Sequence, residues 1–386
     1  MLAWEYPPLI HGGLARVVHA LSHELAHQGC EVHVVTSDCE GKPEHGMDGA
    51  VHVHRVKTHT DWKPDFLSEV ARLNFGMIQY SIELHRKVRF DIIHAHDWLV
   101  ADTAWVLKNA FNLPLISTIH ATEHGRSKGL HNDLQRAINQ IEWRLIYESK
   151  LVIVNSNQMV TDLWKQLAVP SDKVTVIPNG IYGDRLRSHD DRNELRRKLG
   201  LGDGPVVLLV GRMVHEKGVQ VLLDAAPAVA AAVRNVQFVI VGDGYYLPDL
   251  RAKAASSPAS ANVRFFGKAN DHQLRDLYRV ADCAVVPSLY EPFGIVVLEA
   301  MATEAPVVTS DAGGINDIVT HNENAVKTAA GNPDSLAWGI LQVLQNPELA
   351  QRLRTAALEH VLANYTWKAI AHRTLDAYER VLEHHI

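Results

Sequence analysis

The chain has 386 residues, a length that predicts two or three domains, each with a core of its own. Apolar residues make up 47% and charged residues 21%, and no apolar run approaches the ~20 residues of a membrane span. The net charge of −6 argues against a nucleic-acid-binding protein. Because no signal peptide precedes Trp4, we expect a cytoplasmic protein.

The chain opens with a short strand that runs into a loop, followed by Gly12-Gly13 and a helix with regularly spaced apolar residues. Two glycines at a helix start let the backbone approach a ligand closely and supply free N–H groups. An ordinary tight turn between a strand and a helix is the alternative interpretation of this pair.

Strands and helices then alternate through the first half of the sequence. This alternation predicts an α/β domain, with a parallel sheet covered by helices on both faces and ligands bound at the carboxyl ends of the strands. The predicted strands are 32–36, 51–56, 92–95, 115–119, 151–154 and 174–177, and the predicted helices are 66–88, 98–110, 130–148 and 159–167.

Two polar clusters follow neighbouring strands of this first half. One is His94-Ala95-His96-Asp97, and the other runs from His120 to His124. The first lacks the further Asp-His spacing of dinuclear hydrolases, and the second lacks the Glu that follows the first His of a zincin helix. We therefore predict no metal site here, and we expect a structural role for His94. A Gly-rich loop over 125–129, which holds Arg126, is expected to close over a substrate.

A polar, charged stretch over 184–204 predicts a linker, after which the alternation restarts. Gly211 to Gly218 lacks the Gly-Lys-Ser/Thr of a P-loop, and the Gly242 turn lacks the third glycine of a dinucleotide fingerprint. The predicted strands of the second half are 206–210, 237–241, 263–266, 283–287 and 307–309.

The stretch Glu291–Met301 predicts a buried helix after Pro292, because its residues are apolar on every side. Glu299 lies within it and would be costly to desolvate without a hydrogen bond. The helix N-terminus directs free N–H groups, from about Phe293 to Val296, at whatever lies above it. A diphosphate at this end, with a hydroxylated ring reaching Glu299, would account for both features. A structural helix with internal partners for both glutamates is the alternative.

This Glu-x7-Glu pattern with Pro-Phe-Gly inside it resembles the donor-site motif of retaining GT-B glycosyltransferases of family 4, and further matches run from Trp4 to about Trp367. The resemblance implies an α/β GT-B fold of two Rossmann-like domains facing across a cleft. The N-terminal domain (1–183, with a returning helix over 366–386) would bind the acceptor. The C-terminal domain (184–365) would bind a nucleotide sugar. Family members usually have a longer first strand, so we expect an incomplete one here.

The resemblance also assigns the site residues. His120 would contact the transferred sugar, Glu291 would hold its hydroxyls, and Arg212 and Lys217 would bind the donor diphosphate. A solvated surface loop is the alternative for the Arg212–Lys217 segment. We expect both cations to be exposed in the absence of a ligand. The other predicted substrate-binding residues are Gly12, Gly13, Asp97, Phe293, Gly294, Ile295, Glu299, Gly313 and Gly314.

The Trp-Glu-Tyr-Pro-Pro opening and the run from His120 to Arg126 are most similar to glycogen-synthase-like members. They imply glucosyl transfer from a UDP- or ADP-sugar to a glycan acceptor such as an α-glucan. The sequence contains no Asp-x-Asp, so we expect no essential metal and no other cofactor. Two alternatives are a GT-B nucleotide-sugar epimerase, which needs no acceptor, and a non-catalytic protein that binds sugar nucleotides without turnover.

Overall fold

The computed structural model describes residues 1–57, 65–183, 188 and 190–384. These form two compact units: unit 1 comprises Met1–Gly180 and Trp367–Ile386, and unit 2 comprises Ile181–Thr366. The chain thus passes between units after residues 180 and 366, where the sequence places the boundaries after 183 and 365. Part of the predicted linker, residues 184–187 and 189, lies outside the described residues.

The sheet of unit 1 is parallel except for an edge hairpin. Its strand order is β2-β3-β1 on one side and β4-β5-β6-β7 on the other. The strands are β1 (His33–Ser37), β2 (His45–Asp48), β3 (Val51–Val56), β4 (Ile93–His96), β5 (Leu115–Ile119), β6 (Leu151–Val154) and β7 (Val174–Val176).

Leu2 joins the two halves of this sheet. It forms parallel bridges to Val35 in β1 and to Ala95 in β4. Its N–H donates to the His94 carbonyl at 2.8 Å, and its own carbonyl accepts from the His96 N–H at 3.0 Å. Leu2 therefore occupies the position at which the strand order reverses, so the loop after it and the loop after β4 begin side by side.

Helices cover both faces of the unit 1 sheet, and the last helix of the chain, α15, packs against α1. The predicted return of the C-terminal helix to the first domain is confirmed. A 3₁₀ turn over Trp98–Val100 precedes α3, so the predicted helix over 98–110 has an irregular first turn. The helices are α1 (Gly13–His27), α2 (Phe66–Lys87), α3 (Ala101–Phe111), α4 (Glu123–Ser127), α5 (Asp133–Glu148), α6 (Asn157–Leu167) and α15 (Trp367–Glu383).

Unit 2 holds a six-stranded, fully parallel sheet of order β10-β9-β8-β11-β12-β13. The chain builds outward from β8 to β10 and then returns to lay β11 on the other side of β8, so the strand order reverses between these two strands. The strands are β8 (Val206–Val210), β9 (Gln237–Val241), β10 (Val263–Gly267), β11 (Cys283–Val286), β12 (Val307–Ser310) and β13 (Val326–Thr328).

Alternate residues of β8 enter different cores, because successive side chains of a strand point to opposite faces. Val206 and Leu208 pack in one hydrophobic cluster, and Val207 and Leu209 pack in the other. Both faces are therefore covered by helices, which explains the nearly continuous apolar character of these strands. The helices are α7 (Arg192–Lys198), α8 (Val219–Ala232), α9 (Leu247–Ala255), α10 (Asp271–Val280), α11 (Ile295–Ala302), α12 (Ile315–Ile318), α13 (Pro333–Gln345) and α14 (Pro347–Asn364).

The predicted Gly-rich loop over 125–129 is wrong in part. The short helix α4 occupies Glu123–Ser127, because the Thr122 hydroxyl accepts from the Gly125 N–H and caps the turn. Lys128 then adopts a left-handed conformation, with φ of 52°, and ends the helix. Two edge strands, β2 and β13, were not predicted; they are only four and three residues long.

Candidate functional site

The site in unit 2 forms where the strand order reverses, at the carboxyl ends of β8 and β11. The loop after β8 carries Lys217, and the loop after β11 carries Glu291. Backbone hydrogen bonds tie the two loops together, because the Glu216 carbonyl accepts from the N–H of Leu289 at 2.8 Å and more weakly from that of Tyr290. Residues more than seventy positions apart in the sequence are thereby brought into contact.

Lys217 Nζ lies 2.6 Å from Glu291 Oε2, and Ser288 Oγ donates to the same oxygen at 3.2 Å. The Glu291 side chain is 9% exposed and that of Lys217 is 20% exposed. The expectation that Lys217 is exposed is therefore wrong, because a buried carboxylate needs the cation as a partner. Arg212 is exposed, as expected, and its guanidinium lies 3.6 Å from the Glu216 carboxylate.

Gly218 fixes the close approach of these loops. Its φ is +70°, and an added Cβ would lie 1.8 Å from the Pro287 carbonyl oxygen, so no other residue fits without moving the backbone. The Arg212–Lys217 loop therefore has a defined position against β11.

Helix α11 begins at Ile295, three residues after Pro292, and its N-cap Gly294 has φ of 115°. Gly294 has no side chain, so the N-cap residue makes no side-chain hydrogen bond to this terminus. The first N–H groups of a helix have no partner within the helix, so this end carries a positive partial charge. Phe293 is buried, and Ile295 is half-buried. The predicted burial of the helix is found from Val297 onward.

Glu299 lies one turn along α11 and is buried, with 8% of the residue exposed. The Tyr278 hydroxyl donates to its Oε2 at 3.0 Å. A buried carboxylate needs a hydrogen bond, and an internal tyrosine provides one. A ribose contact by Glu299 is therefore not needed to explain the burial of its charge.

Gly313 and Gly314 lie against the backbone of the Glu291 loop. A Cβ added at Gly313 would lie 2.3 Å from the Glu291 carbonyl oxygen. A Cβ added at Gly314 would lie 2.1 Å from the Pro292 carbonyl oxygen. The Gly314 N–H also donates to the Glu291 carbonyl at 2.8 Å. These contacts explain why both positions are glycine, since the close approach that they permit is between two protein segments.

In unit 1, Asp97 follows β4 with φ of 61° and ψ of 171°, a region that is nearly restricted to glycine. This conformation directs its Oδ1 to the N–H of His120, 2.8 Å away at the end of β5. Backbone strain of this kind persists where surrounding structure imposes it, and it clusters at functional sites. Asp97 and His120, predicted from separate motifs, are thus in direct contact.

Three imidazoles line a small cavity of unit 1. His94 uses both ring nitrogens, with Tyr378 Oη and Thr118 Oγ1 each at 2.6 Å, as a structural residue would. His96 Nδ1 lies 3.3 Å from His120 Nε2, and among the described residues His96 Nε2 is buried without a hydrogen-bond partner. Burial lowers the pKa of His94 and of His96 well below the ordinary value, so both rings are neutral at neutral pH.

Burial also lowers the pKa of His120, although the nearby Asp97 carboxylate opposes this shift. A neutral imidazole at this position can both donate and accept a hydrogen bond. His120 therefore suits contact with sugar hydroxyls better than charge neutralisation of a phosphate.

The N-terminus of α1 differs from the prediction, because a buried carboxylate already occupies it. Glu5 accepts hydrogen bonds from the backbone N–H groups of His11 at 2.5 Å, Gly12 at 3.3 Å and Ala15 at 3.3 Å. The expectation that this terminus offers free N–H groups is therefore wrong for Gly12, whose N–H donates to Glu5. Gly13 is exposed to solvent. The sequence signal for Glu5 was its place directly after the first strand.

Glu142 in α5 is a further buried carboxylate, and it was not predicted from the sequence. Its Oε1 accepts from the Glu123 N–H at 2.8 Å, and its Oε2 is buried without a hydrogen-bond partner among the described residues. Burial raises the pKa of this carboxyl to about 8. The signal was available in the sequence, because Glu142 lies on the apolar stripe of a helix, four residues after Ile138 and three before Leu145.

Comparisons with known proteins follow the same division of the chain. The model of the family described as Glycosyltransferase Family 4 matches residues 11–185, and the model described as Glycosyl transferases group 1 matches residues 191–360. An uncharacterized glycosyltransferase of Methanocaldococcus jannaschii is 35% identical over 99% of this chain and 98% of its own length. The chain belongs to the GT4 family of glycosyltransferases.

Two further relatives of this glycosyltransferase carry more specific names. A glycogen synthase of Mycobacterium tuberculosis is 34% identical over 98% of this chain and 93% of its own length. The structure of a sucrose-phosphate synthase from Thermosynechococcus elongatus superposes with a TM-score of 0.85 at 25% identity, covering 96% of this chain and 94% of that one. The predicted GT-B fold of two Rossmann-like domains is confirmed.

The structure of the glycosyltransferase brings the predicted site residues together in two groups. In unit 2, Glu291 is in contact with Lys217 and with the two glycines that precede α12, whereas Glu299 has a separate partner. In unit 1, Asp97 contacts His120. Over the described part of the chain, no helix combines the length and the apolar character that a membrane crossing requires.

Proposed function

We propose that this glycosyltransferase moves a glucosyl group from a nucleoside-diphosphate sugar to an α-glucan, with retention of the anomeric configuration. The observation that carries the donor assignment is the pairing of Lys217 with Glu291 beside the start of α11. A cation and a helix N-terminus stabilise phosphate, and a carboxylate accepts hydrogen bonds from sugar hydroxyls. The glycogen synthase relative supports the choice of sugar and acceptor.

In this proposal Lys217 moves from Glu291 to the donor diphosphate when the donor binds, and exposed Arg212 adds a second positive charge. The two cations then stabilise the charge that grows on the leaving nucleotide as the glycosidic bond breaks. Glu291, released from Lys217, holds the hydroxyls of the transferred sugar. His120, in its neutral form, contacts the same sugar.

The proposed displacement occurs on one face of the sugar, with the leaving phosphate helping to deprotonate the acceptor hydroxyl. No further cofactor takes part. The two cations and the positive end of α11 take the place of the metal that Asp-x-Asp carboxylates hold in other transferases. We therefore expect turnover to continue in excess EDTA.

A donor panel tests the proposal. UDP- and ADP-sugars are incubated with and without glycogen, nucleotide release is measured, and NMR identifies the anomer of the first product. We expect release that depends on the acceptor and an α-linked product from an α-linked donor. A β-linked product, or activity abolished by EDTA and restored by manganese, would contradict the mechanism.

A further inference from the structure

Helix α1 and the β2–β3 hairpin bring three metal-ligating side chains together in unit 1. His19 and His23 are four residues apart on α1 and so lie on one face of the helix. Asp48 ends β2 at the tip of the hairpin. Its Oδ2 lies 3.2 Å from His19 Nε2 and 3.3 Å from His23 Nε2, and the three ligand atoms all lie within 4.8 Å of one another.

Hydrogen bonding within the protein does not fully account for this cluster. His23 Nε2 is buried and, among the described residues, makes no hydrogen bond, although it faces the Asp48 carboxylate. The same Oδ2 already accepts a hydrogen bond from the Tyr6 hydroxyl at 3.0 Å. If His23 Nε2 carries a lone pair toward the Asp48 carboxylate, the two groups repel each other. A cation between the rings and the carboxylate would bind both.

The spacing of the atoms suits zinc. Two ligands of a tetrahedral zinc ion, each about 2.0–2.1 Å from the metal, lie about 3.3 Å apart. The two imidazole–carboxylate separations already have this value. Imidazole nitrogen and carboxylate oxygen are both common zinc ligands, and a hydrogen bond such as that from Tyr6 holds a ligating carboxylate in place. The side chains of His19, His23 and Asp48 are 28%, 18% and 41% exposed, so an ion can enter from solvent.

Gly49 allows the hairpin to close against the helix at this point. Its φ is +58°, and an added Cβ would lie 3.0 Å from His23 Cε1. Because Gly49 has no side chain, the turn can bring Asp48 close to His23.

We propose that His19, His23 and Asp48 form a zinc site, with water as the fourth ligand, that fastens the β2–β3 hairpin to α1. The site does not depend on the proposed donor chemistry, because none of its ligands takes part in nucleotide or sugar binding. Its effect is on the stability of unit 1.

A second group of ligating side chains, Glu31, His33 and His52, is less suited to a metal. Both ring nitrogens of His33 already have partners, with His54 Nε2 and Glu31 Oε1 each at 3.0 Å. A metal would have to displace these bonds. This second group serves as an internal comparison in the test.

The test uses the full chain after treatment with EDTA and removal of the chelator. Calorimetric titration with Zn²⁺ should give one tight site, and Zn²⁺ at a hundred times Kd should raise the Tm by about 5–10 °C, whereas Mg²⁺ should not. His23→Gln and Asp48→Asn should each abolish the tight site and the Tm increase. His27→Gln is the matched control, since it removes an exposed imidazole from the same helix, and it should keep both effects.

Cobalt provides a readout that does not depend on the variants folding. Co²⁺ added to the wild-type chain should give the intense visible absorption of tetrahedral coordination, and Zn²⁺ should remove it. Tight zinc binding that survives in His23→Gln, or that is lost instead in His33→Gln, would overturn the assignment. Failure of Zn²⁺ to change the Tm of the wild-type chain would also overturn it.

Discussion

The two groups of predicted site residues, one in each unit, differ in the charge of their side chains. In unit 2, a lysine and a glutamate form an ion pair at 2.6 Å, and both are largely buried. In unit 1, the group at the equivalent strand ends includes the Asp97 carboxylate and imidazoles whose pKa burial lowers, so the imidazoles are neutral. Both groups form where a parallel sheet reverses its strand order. The topology therefore decides where a site can form, and the side chains decide whether it suits charged groups or neutral hydroxyls.

The ion pair also explains how unit 2 keeps Lys217 in place without a ligand. In the proposed mechanism, Glu291 holds Lys217 until the donor diphosphate competes for it. The imidazoles of unit 1 have no such requirement, because neutral rings need hydrogen-bond partners but no counterion. Variants that change charge should thus affect the two units in different ways.

The largest expected effect is that of Lys217→Ala. Loss of the charge-assisted phosphate contact should lower kcat/KM by about 10²-fold or more. The variant also leaves the Glu291 carboxylate buried without its cation, which should cost about 2 kcal/mol and lower the Tm by about 4–8 °C. Steady-state kinetics and thermal unfolding measure the two losses.

Two matched variants separate these losses. Arg212→Ala should lower kcat/KM by a similar factor with little change in Tm, because the arginine is exposed. The double variant Lys217→Ala, Glu291→Gln should recover Tm without recovering turnover, since no buried charge is left unpaired. Wild-type turnover in Lys217→Ala would contradict the assignment of this loop.

The two glutamates of unit 2 should respond differently to substitution. Glu291→Gln should mainly lower kcat, by about 10-fold or more, because the residue orients the reacting sugar. Glu299→Gln should mainly weaken nucleotide binding, with a smaller change in kcat. Tyr278→Phe is the control, because it removes the partner of Glu299 and leaves Glu291 unchanged. Equal effects of both substitutions on kcat and on nucleotide affinity would show that the difference in roles is wrong.

Acid should destabilise unit 1 through its buried imidazoles. The pKa of His94 and of His96 is lowered in the folded chain, so below the ordinary value of 6.5 the unfolded chain binds more protons. Stability should therefore fall as the pH falls below 6.5, by about 1.4 kcal/mol per pH unit for each histidine. Urea unfolding at several pH values measures this slope. His96→Gln should reduce the slope, and His27→Gln, which changes an exposed residue, should not.

Glu142 should give a pH dependence of stability of the opposite sign. Its pKa is raised from 4.5 to about 8, so the folded chain holds an extra proton between these values and stability falls as the pH rises through this window. Glu142→Gln should have nearly the wild-type Tm at pH 5 and a higher Tm at pH 9. A Tm difference between Glu142→Gln and the wild type that does not change with pH would show that the carboxyl titrates normally.

The sequence predicted most of the regular structure. The bounds of β3, β5, β6, β8 and β9 were predicted as the structure has them, because each is a compact run rich in β-branched and apolar residues. The edge strands β2 and β13 were missed, since short strands with few apolar residues give little periodic signal. The helix α4 was missed because its glycine and polar residues are also typical of loops.

Several contacts within the site could not be derived from the sequence. Lys217 and Glu291 were assigned to one site by resemblance, yet neither spacing nor composition predicts that they form an ion pair. The same holds for Gly313 and Gly314, whose neighbours are backbone atoms of a distant loop. The ion pair depends on the reversal of strand order between β8 and β11, and the glycine contacts depend on the pairing of β11 with β12. No local pattern encodes either arrangement.

The sequence by itself determined the α/β class, the alternation of elements, the buried helix after Pro292 and the family motif, because these depend on periodicity and on residue types at short spacing. Only the tertiary structure decided which polar groups are satisfied. Glu5 accepts from the start of α1, Glu299 accepts from Tyr278, and Asp48 meets two histidines of α1. The physical reason is that desolvation and hydrogen bonding depend on three-dimensional neighbours, and parallel sheets draw these from distant parts of the chain.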